Sequence, residues 1–119
     1  MNIPQAQITL EHLLRLSTIV KLFHFSTRQS HLHESSEDFY HKLETVTDDL
    51  IEMYQGQTGQ ILELSVGECV TIDKLPALID IIKQSKKYVE ENSENLDKHS
   101  INILLSYYSK FLYKIQLLS

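Results

Sequence analysis

Apolar residues recur at three- and four-residue intervals in four stretches of the chain, and each stretch reads as an amphipathic helix. The first runs from about Thr9 to Phe25 and turns Leu10, Leu13, Leu14, Ile19, Val20 and Phe23 to one side. Ser26, Thr27 and Ser30 follow as candidate N-caps. The second runs from near Leu32 to near Gln55 with Phe39, Leu43, Val46, Leu50 and Met53 as its stripe, and Gly56 is placed to end it. A third, capped by Thr71 or Asp73 and carrying Pro76 in its first turn, buries Leu75, Leu78, Ile79, Ile82 and Val89. Polar residues from Glu90 to Glu94 mark a turn, Ser93 is the next candidate cap, and Asp97 falls in the first turn of the last helix. That helix runs through Leu104, Tyr107, Tyr108, Phe111, Leu112 and Ile115. Between the second and third helices lie Gly59, Gly67 and the apolar run Ile61 to Val66, whose pattern fits a short helix or an extended piece equally well. The prediction is one all-α domain over residues 1–119: a four-helix bundle in up-down-down-up order with a longer second connection.

The polar face of the second helix is its unusual part. His33, Glu37, His41, Glu44, Asp48 and Glu52 follow one another at intervals of four, four, three, four and four residues. At 3.6 residues per turn they fall within roughly 100° of one another, nearly opposite the apolar stripe. A solvated face would normally mix in Lys or Arg at such positions, and this row has none. Glu44, Asp48 and Glu52 place like charges at i, i+4 twice in succession, a mild cost that favours a compensating cation or partner. No single ion spans the row, because fifteen residues between His33 and Asp48 correspond to roughly 22 Å along the axis. A second, antiparallel copy of the helix would bring His33 of one chain beside Asp48 of the other, giving two equivalent sites. Imidazole with carboxylate suits Fe or Mn, and also Zn.

Composition narrows the field. The 119-residue chain is 42% hydrophobic with 3 Gly and 2 Pro, enough to build one core and unlike a disordered sequence. A net charge of −5, from 11 Lys+Arg against 16 Asp+Glu, argues against DNA binding, which needs a basic surface. The lone Cys69 excludes an intramolecular disulfide and favours a reducing compartment. No stretch approaches the length of a membrane span, and Glu11 and His12 interrupt the start of the chain where a signal peptide would be apolar. The expectation is a cytoplasmic protein.

The segment from His24 to Gly56 resembles the core of the Dps mini-ferritins. The resemblance rests on His24-Phe25 at the end of the first helix, Leu32-His33 at the start of the second, Glu37 four residues on, and the Asp48/Glu52 pair. It implies a ferritin-like bundle that binds iron and oxidises Fe(II). The metal ligands would be His24 and His33 from one subunit with Asp48 and Glu52 from its twofold mate, and Glu37 as a further carboxylate, in a homo-oligomer of antiparallel dimers, a dodecamer in that family. The chain departs from the family in having Phe25 where Trp is usual and Glu37 where Asp is common. It also has a shorter first loop and no Lys/Arg-rich tail. In these respects it is similar to small, often phage-encoded, ferritin-like proteins.

Plainer readings stand beside these. His24 taken alone would be a half-buried histidine at a helix end, and His41 and Glu44, without counterparts in the family pattern, would be polar groups near the dimer axis. His31 and Asp49 read as caps or surface residues, Cys69 as a small buried or loop residue, and the tyrosines of the last helix as core and interface. A di-iron centre inside the bundle needs Glu-x-x-His motifs, and none occurs. A phosphate loop, a Cys-x-x-Cys pair and a recognisable nucleophile–base spacing are equally lacking. The alternative to iron oxidation is a non-catalytic oligomeric scaffold on the same fold, binding a partner protein or small ligand.

Overall fold

The computed structural model describes residues 3–119. Its helices are α1 (Gln5–Ser26), α2 (Ser30–Thr58), α3 (Leu75–Asn92) and α4 (Lys98–Leu112), the last running into a single wide π-turn over Tyr113–Leu117. No strand occurs among the described residues. The chain is an all-α four-helix bundle.

Several helix ends differ from those predicted, each for a local reason. Helix α2 passes through Gly56 and stops a turn later at Gly59, which sits at φ +70 and donates its N–H to the Gln55 carbonyl. A glycine ends a helix where the backbone turns left-handed, and Gly56 never does. Lys74, rather than Thr71 or Asp73, precedes α3, with Pro76 in the first turn as expected. Ser93 closes α3, and Asp97 caps α4 by accepting from the Ser100 N–H at 2.9 Å. Met53, expected in the core, is 36% exposed because the stripe of α2 drifts outward at its last turn.

Around the bundle the helices run α1, α2, α4, α3, with neighbours antiparallel. Thr9 donates to the Asn92 carbonyl and Gln5 to the Tyr88 hydroxyl, pairing the start of α1 with the end of α3. His31 and Asp38 near the start of α2 meet Lys114 beyond the end of α4, and Ser100 at the start of α4 reaches Met53 near the end of α2. The order is therefore up-down-down-up. At 1.5 Å per residue the 29 residues of α2 cover about 43 Å, the whole 44 Å long axis of the molecule.

The second connection must cover that same length, and it does so extended rather than helical. Ile61, Glu63 and Ser65 point out while Leu62, Leu64 and Val66 are half-buried, an alternation of period two. Its backbone is pinned to α1: Gln7 donates to the Glu63 carbonyl, Ser65 N–H donates to Glu11, and Arg15 Nε donates to the Val66 carbonyl at 2.7 Å.

Leu10, Leu13, Phe23, Leu43, Leu78, Ile82, Leu104 and Tyr108 are among the core side chains, and Phe39 stacks on Phe111 at 4.4 Å between α2 and α4. One polar chain crosses this interior. His12 Nε2 lies 2.7 Å from Ser85 Oγ, which lies 2.6 Å from the Tyr108 hydroxyl. Tyr108 is fully buried and has no other partner for its proton among the described residues, so it donates to Ser85 and Ser85 donates to a neutral His12. Burial pushes the Tyr108 phenol well above its ordinary range. Burial, with Arg15 nearby, lowers His12 from 6.5 to about 4.

Candidate metal centre

The short turn between α1 and α2 faces His24, in the last turn of α1, toward His33, in the first turn of α2. Each ring reaches the other's backbone. His24 Nδ1 is 2.7 Å from the His33 carbonyl, and His33 Nδ1 is 3.0 Å from the His24 carbonyl. A carbonyl only accepts, so both Nδ1 atoms carry protons and both Nε2 atoms keep their lone pairs. Backbone carbonyls that hold Nδ1 in this way fix the tautomer and aim the ring of a metal-binding histidine. The two rings stack, with centroids 3.7 Å apart and planes 28° from parallel, which holds the two imidazoles side by side.

Glu37 follows His33 by one helical turn and completes the group. Donor atoms of His24, His33 and Glu37 lie within 4.8 Å of one another, and these three residues could hold a metal ion. Ligand bonds of about 2.0–2.2 Å would draw the donors in by about an ångström. Glu37 is free to make that move, since it is exposed and its ion-pair partner, His41 Nε2, stands 3.7 Å away. His24 is the rigid member: 5% exposed, it packs edge-on against Tyr40 and Phe25. His33 and Glu37 are open to solvent, so the site is a shelf with one buried wall.

The structure thus brings together three of the five residues predicted as ligands. Asp48 and Glu52 are exposed on the same outer side of α2, but Asp48 is eleven residues past Glu37, about 16 Å along the helix. Within one chain they do not reach the histidines. His41, left aside in the sequence as an interface group, stands beside Glu37, a proximity its i, i+4 spacing already carried. Tyr40, which forms part of the wall behind His24, had no signal beyond its place on the apolar side. Phe25, edge-on to His24, is 70% exposed beside the open donors, and Leu22, a turn earlier on α1, is 42% exposed.

Compared with protein-family models, curated proteins and solved structures, the chain matches none. The site must therefore be read from its own chemistry. No helix among the described residues is long and apolar enough to cross a membrane.

Proposed function

We propose that this protein is a Dps-like, ferritin-like bundle that binds iron at its α1–α2 corner and oxidises Fe(II). The observation that carries the reading is the pair of stacked histidines, each Nδ1 tied to the other's carbonyl, with donor atoms of both and of the exposed Glu37 within 4.8 Å of one another. Two imidazoles and one carboxylate leave coordination positions open, as an ion that reacts with a dissolved oxidant requires. Iron is the substrate here: each Fe(II) passes one electron to dioxygen or a peroxide and leaves as Fe(III). Mn and Zn fit the same donors. The protein's own part is to present the donors and to neutralise the added charge.

A second copy of the chain completes the site in this reading. Set antiparallel across α2, it would bring Asp48 and Glu52 to His24, His33 and Glu37 and would cover Leu22 and Phe25. The outward aspect of the acidic row and the exposure of Leu22 and Phe25 support that arrangement. Repeating such dimers gives a homo-oligomer of the dodecameric kind.

The test uses two single variants, His33→Ala and Asp48→Ala, each expected to abolish Fe(II) oxidation and saturable metal binding. Mixing the two under mild denaturant, followed by refolding, should restore part of the activity, because one of the two sites in a mixed dimer is intact. Wild-type oxidation by Asp48→Ala would overturn the shared site, and loss of metal binding in neither variant would leave an interaction scaffold as the better description.

A further inference from the structure

The metal centre has a neighbour one turn further along α2. His41 brings its Nε2 to 3.7 Å from Glu37 Oε1. That separation is too long for a hydrogen bond. It is close to the roughly 3.3 Å between two donors on one tetrahedral ion whose ligand bonds are about 2.0–2.1 Å. Both side chains are free to adjust, at 60% and 48% exposure. An exposed His–Glu pair at i, i+4 is by itself an ordinary helix contact. This one shares its carboxylate with two further imidazoles, because donor atoms of His24, His33 and Glu37 already lie within 4.8 Å of one another.

Tyr40 sits at the middle of the arrangement. Its buried ring packs edge-on against His24 at 5.5 Å and tilted against His41 at 4.5 Å, so one side chain backs both imidazoles. Burial raises the Tyr40 phenol above its ordinary range, and the negative charges of Glu37 and Glu44 raise it further. Both carboxylates therefore act on the same hydroxyl. Glu44 follows His41 by three residues on the same face of α2. Glu37 and Glu44 are about 10 Å apart along the axis, a gap that two glutamate side chains close around a central imidazole. No Lys or Arg comes within ion-pair reach of either carboxylate among the described residues. Lys21 places its ammonium over the Tyr40 ring instead, 5.6 Å from the centroid.

The geometry points to a second divalent-metal position on the outer face of α2, held by Glu37, His41 and Glu44, with the Glu37 carboxylate shared between it and the ion at His24 and His33. One imidazole and two carboxylates suit Fe(II) or Mn(II), and also Zn(II). All three donors come from one helix of one chain, and His41 and Glu44 stand outside the ligand set that the mini-ferritin pattern implies. Loading is ordered. His24 and His33 are fixed in advance by their carbonyls, so the corner ion binds first and holds Glu37 in place for the second. The inference rests on the α1–α2 corner being a metal centre, and not on the oxidation proposed there.

Calorimetric titration of the full-length protein with Zn(II) alone, in a non-coordinating buffer at neutral pH, tests this without recourse to oxidation. Two ions per chain are expected in two steps, the second weaker by about tenfold or more because it meets the charge of the first. His41→Ala should leave one ion per chain, bound within about threefold of the wild-type first step. Glu44→Gln should weaken the second step alone by about tenfold, the scale of one lost contact to a charged group. His33→Ala should remove both steps, since Glu37 is then no longer held. Circular dichroism of each variant checks that these exposed substitutions leave the helices intact. A single ion per chain, unchanged in His41→Ala, overturns the second position and leaves the α1–α2 centre standing. Two ions that both survive His41→Ala overturn it too, and loss of both steps in that variant makes His41 a ligand of the corner ion instead. Absence of any saturable step in the wild type overturns the corner and this position together.

Discussion

Acidifying this protein should strain it at His12 before its acidic surface matters. The neutral ring accepts the Ser85 proton, and Ser85 in turn accepts from Tyr108. Protonating Nε2 reverses the first bond and leaves the Ser85 proton without an acceptor at a site 2% exposed. The groups facing the ring are Arg15 from α1, which opposes a positive charge, Ser85 and Tyr88 from α3, and through Ser85 the Tyr108 hydroxyl from α4. Among these groups no carboxylate offsets the positive charge. With the folded value lowered from 6.5 to about 4, the unfolded chain binds the extra proton first. Stability from His12 is therefore complete above about pH 6.5 and is lost as the pH falls toward 4. At 1.36 kcal/mol per pH unit the whole interval corresponds to about 3.4 kcal/mol. The ring keeps one edge in solvent, and screening reduces this to about 2 kcal/mol. Urea denaturation of wild type and His12→Gln at several pH values between 7.5 and 4 isolates the effect, since every other titrating group is common to both. Glutamine can still accept from Ser85 and does not titrate. Wild type should lose about 2 kcal/mol more than the variant across the interval. Parallel pH profiles would refute the proposed direction of the Tyr108–Ser85–His12 chain.

The two glycines that bracket the end of α2 should respond oppositely. Gly56→Ala adds a Cβ with nothing within 4 Å inside a helix and should stabilise by about 0.8 kcal/mol, whereas Gly59→Ala forces a side chain into the left-handed region and should destabilise by about 1 kcal/mol, both read from thermal melts. Truncating Phe111→Ala removes the ring stacked on Phe39 and should cost about 3–5 kcal/mol in urea denaturation. A gel shift at about 150 mM salt should show no DNA binding, since a chain of net charge −5 offers no counterion-release footprint.

The helices were legible because their periodicity follows directly from burial, and Leu43 or Leu104 announces its face without help from distant residues. Ends were less so. Gly56 and Gly59 are the same residue type three positions apart, and only the backbone angle distinguishes a tolerated glycine from a terminating one. The run Ile61 to Val66 carries a period of two that becomes decisive only when α1 offers Gln7, Glu11 and Arg15 to satisfy its backbone. At the candidate site, His33 and Glu37 were readable from spacing along one helix, whereas His24, by itself an ordinary histidine at a helix end, entered only through the resemblance to the mini-ferritin pattern. What spacing did not carry is the exchange of carbonyls that fixes both tautomers, because it depends on how the turn closes. The His12–Ser85–Tyr108 chain was invisible for a related reason: its members come from three helices and only tertiary packing makes them neighbours.

The extended connection along α1 also governs the order in which the molecule can assemble. Each short turn makes a local helical hairpin, α1 with α2 and α3 with α4, and either can close with little loop entropy. Contacts between the hairpins, such as Thr9 with Asn92 or Asp38 with Lys114, join residues 83 and 76 positions apart. Forming them also requires the connection to span the distance between the end of α2 and the start of α3. This raises the contact order above that of a bundle joined throughout by tight turns, and slower folding is the expected consequence. Glu11 and Arg15, which hold the connection against α1, are the side chains whose loss should slow docking of the two hairpins.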